Sequence, residues 1–140
     1  MLRVVLDTNV IVTALRSRRG AAYRLLQLVG TRKFEHVLSV GLCFEYEAAL
    51  KRPEVGIALS SETIDDILDY LCNAALRYEI HFLWRPTLPD PGDDLVLELA
   101  VRASCDAIVT YNLSDFVGID RFGLVAMSPA AFLRKIGSLP

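Results

Sequence analysis

The chain has 140 residues, 53% of them hydrophobic, so it is long enough to bury the core of one domain without disulfides or a structural metal. Its formal net charge of -2 provides no overall basic signature of nucleic-acid binding. No apolar run reaches the roughly 18 uncharged residues of a membrane span, and the first residues lack a signal-peptide pattern. We therefore expect one domain over residues 1–140, cytoplasmic and without a membrane segment.

The hydrophobic pattern predicts alternating strands and helices. Five segments have the apolar, often β-branched composition of short buried strands: residues 2–6, 34–40, 79–84, 106–110 and 122–127. Five segments have the three-and-four apolar spacing of amphipathic helices: residues 21–29, 41–52, 63–76, 91–103 and 129–136. This alternation predicts an α/β fold with a mostly parallel central sheet of about five strands and helices on both faces. Ligands of such sheets bind at the carboxyl ends of the strands.

Acidic side chains occupy inward-facing positions on three of these elements. Asp7 directly follows the first predicted strand, and Thr8 and Asn9 come next. In "GLCFEYEAALKRP", Glu45 falls beside the apolar stripe of the helix, whereas Glu47 points away from it.

The helix that begins in "DPGDDLVLELA" carries the third inward acid. Asp93 lies near the centre line of its apolar stripe, and Asp94 lies toward the edge. Asp90 is placed as the N-cap, with Pro91 at the first helical position.

Each acid also has a purely structural interpretation. Asp7 with Thr8 could cap a following helix, Glu45 could pair with a neighbouring arginine, and Asp93 could favour the dipole of its own helix. Together, however, three inward acids on separate elements concentrate negative charge that requires a compensating cation. Oxygen ligands without histidine or cysteine favour Mg²⁺ or Mn²⁺ over zinc.

We expect neither a catalytic nor a metal-binding role for the histidines and cysteines. His36 and His81 lie within predicted strands and are expected to be packed in the core. Cys43, Cys72 and Cys105 are scattered and odd in number, which predicts reduced, unreactive core thiols.

Four stretches of the sequence together resemble the PIN domain family, in particular the VapC-type toxins of bacterial toxin-antitoxin pairs. The stretches are "VVLDTNVIV", "EYEAALKRP", "DPGDDLVLELA" and "DAIVTYNLSDF", and they span nearly the whole chain in the family's order. The resemblance implies a three-layer αβα sandwich and a metal-dependent ribonuclease that acts on RNA.

The resemblance also implies roles for individual residues. Asp7, Glu45 and Asp93 match the family's metal-binding acids. The expected catalytic set also includes Asn9, Asn112 and Asp115, and Thr8 and Thr110 would support it. Many relatives carry a fourth acid where this chain has Asn112, and Asp115 could supply that charge instead.

The expected partners are an RNA substrate, an antitoxin protein and a second copy of the chain in a homodimer. Two other functions stay open. One is a PIN-like interaction module without catalysis, suggested by the missing acid at Asn112. The other is a phosphohydrolase with Asp7 as nucleophile, although Asn9 stands where that chemistry requires a second aspartate.

Overall fold

The strands form a single five-stranded sheet in the computed structural model, which describes residues 1–80 and 88–139. They are β1 (Arg3–Leu6), β2 (Glu35–Leu38), β3 (Leu76–Arg77), β4 (Ala107–Val109) and β5 (Val125–Met127). Their order across the sheet is β3-β2-β1-β4-β5, and each neighbouring pair is parallel. The predicted parallel α/β fold is thereby confirmed, with β1 at the centre of the sheet.

In the described parts of the chain, six helices flank the sheet: α1 (Thr8–Arg16), α2 (Ala21–Leu28), α3 (Val40–Leu50), α4 (Ser61–Ala74), α5 (Pro91–Arg102) and α6 (Pro129–Lys135). Side-chain caps fix where several of them begin. Ser39, Ser60 and Ser128 each accept a hydrogen bond from a backbone N–H in the first turn of α3, α4 and α6. Short 3-10 turns occupy Pro53–Val55, Leu113–Phe116 and Ile119–Phe122.

The centre of the sheet is the centre of the core. Val4, Val5 and Leu6 of β1 have no solvent exposure, and neither do Ile108 and Val109 of β4. Strands covered on both faces bury consecutive side chains, which explains why the first predicted strand is almost continuously apolar. Helix α5 packs across β1, β2 and β4 and covers one of these faces.

The predicted bounds of two strands, residues 79–84 and 122–127, were wrong. The third strand is Leu76–Arg77, because α4 ends at Ala74 and the chain then pairs at once with Val37 and Leu38 of β2. Residues 79 and 80 are not in a strand, and the rest of the predicted segment, with His81, lies outside the described residues. The last strand begins only at Val125, since a 3-10 turn and Gly123, with φ of 75°, precede it.

His36 and the three cysteines differ in how deeply they are buried. His36 is 2% exposed, which confirms the prediction of a packed histidine, and burial lowers its pKa to about 4. All three cysteines are free, as expected. Only Cys105 is buried, however, and the half-buried Cys43 and Cys72 lie side by side. No helix in the described parts of the chain is long and apolar enough to cross a membrane.

Candidate active site

An acidic pocket lies at the carboxyl ends of β1 and β4, and its cavity has a volume of about 450 Å³. Among the described residues, nine that line it are polar or charged: Asp7, Thr8, Asn9, Glu45, Arg52, Asp90, Asp93, Asn112 and Asp115. Gly92 also lines it. The fold thus brings together the acids that the sequence analysis selected from separate elements.

Asp7 is the most deeply placed of these acids, with 7% of its surface exposed. It caps α1, because Oδ1 accepts a hydrogen bond of 2.9 Å from the Thr8 backbone N–H. Its Oδ2 accepts hydrogen bonds from Asn9 Nδ2 at 3.0 Å and from Thr110 Oγ1 at 2.8 Å. Burial raises the pKa of Asp7, while these three hydrogen bonds lower it.

Asn9 and Thr110 connect Asp7 to the loop that follows β4. Asn9 Oδ1 accepts a hydrogen bond of 3.0 Å from the backbone N–H of Tyr111. Thr110 Oγ1 accepts one of 3.0 Å from the backbone N–H of Asn112. Each of these side chains therefore bonds to the Asp7 carboxylate and also to a backbone N–H after β4. Together they fix the position of this loop relative to the carboxylate.

Glu45 reaches the pocket from α3. The neighbouring Tyr46 is fully buried and donates a hydrogen bond to the Leu6 carbonyl at the end of β1, which anchors this face of the helix. Thr8 Oγ1 lies 3.4 Å from Glu45 Oε2 and donates a weak hydrogen bond to it. Burial and the negative charges of Asp7 and Asp90 raise the pKa of Glu45.

Glu47 lies on the opposite side of α3, as its helical position predicts. It does not line the pocket, and its carboxylate pairs with Lys51 at 3.3 Å. Lys51 also pairs with Asp65 of α4, at 2.6 Å. Glu45 and Glu47 therefore have different surroundings although they are two residues apart.

Among the described residues of the pocket, Asp93 has the most strongly raised pKa. Burial raises its pKa to about 7, and the charges of Asp7, Asp115, Asp90 and Glu45 act in the same direction. Its carboxylate makes no hydrogen bond or salt bridge with other described residues. A structural acid is normally paired, so an unpaired carboxylate with a raised pKa is a candidate functional group.

Asn112 and Asp115 both face the pocket from the 3-10 turn after β4. The charge of Asp115 raises the pKa of Asp7 and of Asp93, which places it in electrostatic contact with both. Asn112 contributes a neutral amide to the lining.

The pocket is also lined by Arg52, Asp90 and Gly92, which the sequence pattern did not assign to it. Asp90 caps α5 as predicted, with the Gly92 N–H donating to it at 2.8 Å, but it also faces the cavity. Its spacing of three residues from Asp93 was the available signal. Similarly, Arg52 is the last residue of the predicted helix 41–52 and follows Glu45 by about two helical turns, although α3 itself ends at Leu50.

Gly92 lets the Glu45 carboxylate approach the start of α5. A Cβ at this position would lie 3.0 Å from Glu45 Oε1 and 3.3 Å from Asp90 Oδ1. Both contacts are tighter than normal packing allows, so a side chain here would displace one of the two carboxylates.

The donor set suits a hard divalent cation. Among the described residues, the pocket lining offers carboxylate, amide and hydroxyl oxygens and no histidine or cysteine. Five carboxylates and one arginine belong to this described lining, so negative charge is in excess within it. Among the described residues, no three acidic, histidine or cysteine side chains are arranged to hold a metal ion as they stand. Binding a cation would therefore require the carboxylates to move toward one another.

Known proteins resemble this chain in fold and in sequence. No curated protein matches the chain. A solved structure with a similar fold is VapBC2 from Rickettsia felis bound to a DNA fragment from their promoter, with a TM-score of 0.59 and 16% identity. The alignment covers 89% of this chain and 97% of the other. The family model of the PIN domain matches residues 3–114, which include Asp7, Glu45, Asp93 and Asn112. This match extends over most of the sequence, and the chain therefore belongs to the PIN domain family.

Proposed function

We propose that the protein is a metal-dependent endoribonuclease that hydrolyses RNA phosphodiester bonds in the acidic pocket. The observation that carries this proposal is the convergence of Asp7, Glu45 and Asp93, from three separate elements, on one cavity. All three have raised pKa values, because burial disfavours their charged forms and the charges of other acids in the pocket add to the effect. Such unrelieved repulsion is costly in a purely structural cluster and is relieved by a bound cation.

Asp7, Glu45 and Asp93 would hold Mg²⁺ or Mn²⁺. When bound, the cation supplies charge stabilisation to the phosphate and acidifies water for attack on phosphorus. The chain itself contributes orientation. Thr8, Asn9 and Thr110 hold the Asp7 carboxylate with hydrogen bonds of 2.8 to 3.0 Å. Asn112 and Asp115 would position water and substrate from the other side of the pocket.

Arg52 would bind the substrate phosphate. It is exposed, lines the same cavity as the acids and makes no salt bridge with the other described residues. The pKa of Glu45 is raised overall, and the positive charge of Arg52 partly offsets that rise. The guanidinium is therefore close enough to the acids to neutralise a phosphate bound between them.

The distribution of charge supports a nucleic-acid substrate. Residues 8–34 contain no acid, although the whole chain has a net charge of -2. They carry six cations, all exposed: Arg16, Arg18, Arg19, Arg24, Arg32 and Lys33. Helix α1 begins beside the pocket at Thr8 and reaches Arg16 about 12 Å further along its axis. A polyanion bound at the pocket would thus extend toward positive charge.

The biological setting proposed is a toxin-antitoxin pair in the cytoplasm. The similar structure from Rickettsia felis is VapBC2 bound to promoter DNA, and this likeness supports an antitoxin as partner of the present chain. A homodimer is part of the same proposal, because exposed apolar residues such as Val117 and Val125 remain available for contacts.

Two other functions are less well supported. A phosphohydrolase would use Asp7 as a free nucleophile, but both of its oxygens accept hydrogen bonds and Asn9 donates one of them. An inactive interaction module would have no reason to retain the unpaired, strongly perturbed Asp93. This second alternative predicts that Mn²⁺ has no effect on thermal stability.

The proposal is tested by incubating a fluorescently labelled RNA with the protein in Mn²⁺ or in EDTA. We expect cleavage only with Mn²⁺, and loss of cleavage in Asp7→Asn and in the more exposed Asp93→Asn. Circular dichroism verifies that both variants fold. Cleavage in EDTA, or full activity in both variants, would contradict the proposal. A Tm that does not change with Mn²⁺, together with no cleavage, would favour the inactive module.

A further inference from the structure

Cys43 and Cys72 are in direct contact on the face of α3 that lies away from the acidic pocket. Cys43 is in the first turns of α3 and Cys72 is in the last turn of α4, and their Sγ atoms lie 3.1 Å apart. The two residues are 29 positions apart in the sequence, so only the packing of α3 against α4 brings them together.

Solvent reaches this pair from two sides. Cys43 and Cys72 line a groove of about 460 Å³ together with Phe44 and Tyr78. They also line a second depression of about 370 Å³, whose wall includes Glu47 and Asp69. Both thiols are half-buried, whereas Cys105 is buried on its own elsewhere in the core.

We propose that Cys43 and Cys72 are a site of reversible oxidation, at which a small disulfide such as glutathione disulfide converts them to an intramolecular disulfide that joins α3 to α4. The proposal rests on the sulfur contact and on its access from solvent, and it is independent of the nuclease function. A disulfide requires the two sulfur atoms to approach from 3.1 Å to about 2.05 Å, with side chains that can adopt the bond's preferred dihedral angle.

The reaction proceeds by two thiol-disulfide exchanges. One cysteine, as its thiolate, attacks the small disulfide and forms a mixed disulfide, while one small thiolate leaves and takes up a proton. The second cysteine then attacks the protein sulfur of the mixed disulfide and releases the other small thiol. The net change oxidises two protein thiols and reduces one small disulfide to two thiols.

Oxidation would fix the position of α3, the helix that carries Glu45 two residues beyond Cys43. The bond closes a loop of 29 residues and restricts the unfolded chain. The oxidised protein should therefore melt roughly 5–10 °C above the reduced protein.

The folded full chain is tested with glutathione disulfide at about pH 8, where a larger fraction of thiols is ionised. After incubation the protein is unfolded, alkylated with iodoacetamide and weighed as an intact chain. We expect the wild type to lose two hydrogens and to be alkylated at one cysteine, which peptide mapping identifies as Cys105. Dithiothreitol should restore three reactive thiols and the lower Tm.

Cys43→Ser and Cys72→Ser are the matched controls. Each should retain a glutathione adduct on its remaining cysteine of the pair, because no second thiol is present to release it. A wild type that keeps this adduct, or that shows three alkylated cysteines after the same treatment, would overturn the proposal. The wild-type result decides alone if either variant fails to fold.

Discussion

The Thr110 hydroxyl donates a hydrogen bond of 2.8 Å to the Asp7 carboxylate across the central pair of strands. Leu6 pairs with Val109 in parallel register, so the next residues, Asp7 and Thr110, lie side by side at the carboxyl edge of the sheet. The backbone N–H of Asp7 also donates to the Val109 carbonyl at 2.9 Å. The register of β1 and β4 therefore determines the orientation of the most buried acid in the pocket.

Replacing Thr110 by valine should weaken catalysis without changing the fold. The variant loses the bond to Asp7 and leaves Asn9 Nδ2 and the Asn112 N–H without their shared acceptor. We expect RNA cleavage to fall about 10- to 100-fold, and the free energy of unfolding to fall by about 1 kcal/mol. Because the lost bond lowers the pKa of Asp7, the acid limb of the pH-rate profile should move to higher pH.

Thr110→Ser is the control, since serine keeps the hydroxyl. It should restore most of the activity and the original pH profile. If valine and serine gave the same profile, the hydroxyl would have no part in orienting Asp7.

Much of this pocket was predictable because it follows from helical and strand periodicity. Asp7 follows a continuous apolar strand, and Glu45 and Glu47 differ in their angle around α3, which local sequence determines. The contribution of Asp90 was hidden, because its N-cap role already explained its position. Only the packing of α3 against α5 reveals that Gly92 faces Glu45.

The third strand and the cysteine pair could not be predicted for a related reason. β3 has two residues and is defined by its pairing with Val37 and Leu38, which is a tertiary contact rather than a local pattern. Cys43 and Cys72 have no motif spacing, and their contact depends on how α3 and α4 cross. Local periodicity contains no information about either contact.

The metal-free protein should become less stable as the pH rises through about 7. The folded pKa of Asp93 is raised to about 7 from an ordinary value of 3.8, so the folded state keeps a proton that the unfolded chain has released. The stability gained from that proton is lost as the pH rises. Asp7, Glu45, Asp90 and Asp115 surround this carboxylate and act in the same direction.

Calorimetry of the wild type and of Asp93→Asn between about pH 5 and pH 8 checks this linkage. The Tm of the variant should exceed that of the wild type at pH 8, and the difference should shrink toward pH 5. Mn²⁺ should raise the Tm of the wild type more at pH 8 than at pH 6, because the cation competes with the proton. A difference in Tm that is independent of pH would argue against the raised pKa.

Asn112→Asp should tighten Mn²⁺ binding, because it adds a carboxylate to the cavity lining. Asp115→Ala should reduce cleavage less than Asp93→Asn does, since Asp115 is more exposed. Isothermal titration measures the first effect, and initial rates on one RNA measure the second. Unchanged Mn²⁺ affinity in Asn112→Asp would remove this residue from the metal site, and complete inactivity of Asp115→Ala would make it a ligand of equal rank.

Arg52→Gln should raise the KM for RNA about tenfold or more and change kcat less, because it removes a phosphate contact while leaving the acids in place. Lys51→Gln is the matched control. Lys51 precedes Arg52 in the chain but pairs with Glu47 and Asp65 outside the pocket. Steady-state kinetics that show equal changes in KM for the two variants would mean that Arg52 acts through general charge rather than by contact.

The most direct test of the proposed active site compares two acids on one helix. Glu45 lines the acidic pocket, and Glu47 pairs with Lys51 on the other side of α3. The measurement is the initial rate of Mn²⁺-dependent RNA cleavage by the wild type, Glu45→Gln and Glu47→Gln. We predict that Glu45→Gln loses at least about 100-fold in rate, whereas Glu47→Gln stays within about twofold of the wild type. Equal rates for the two variants, whether both high or both low, would contradict the assignment of catalysis to this pocket.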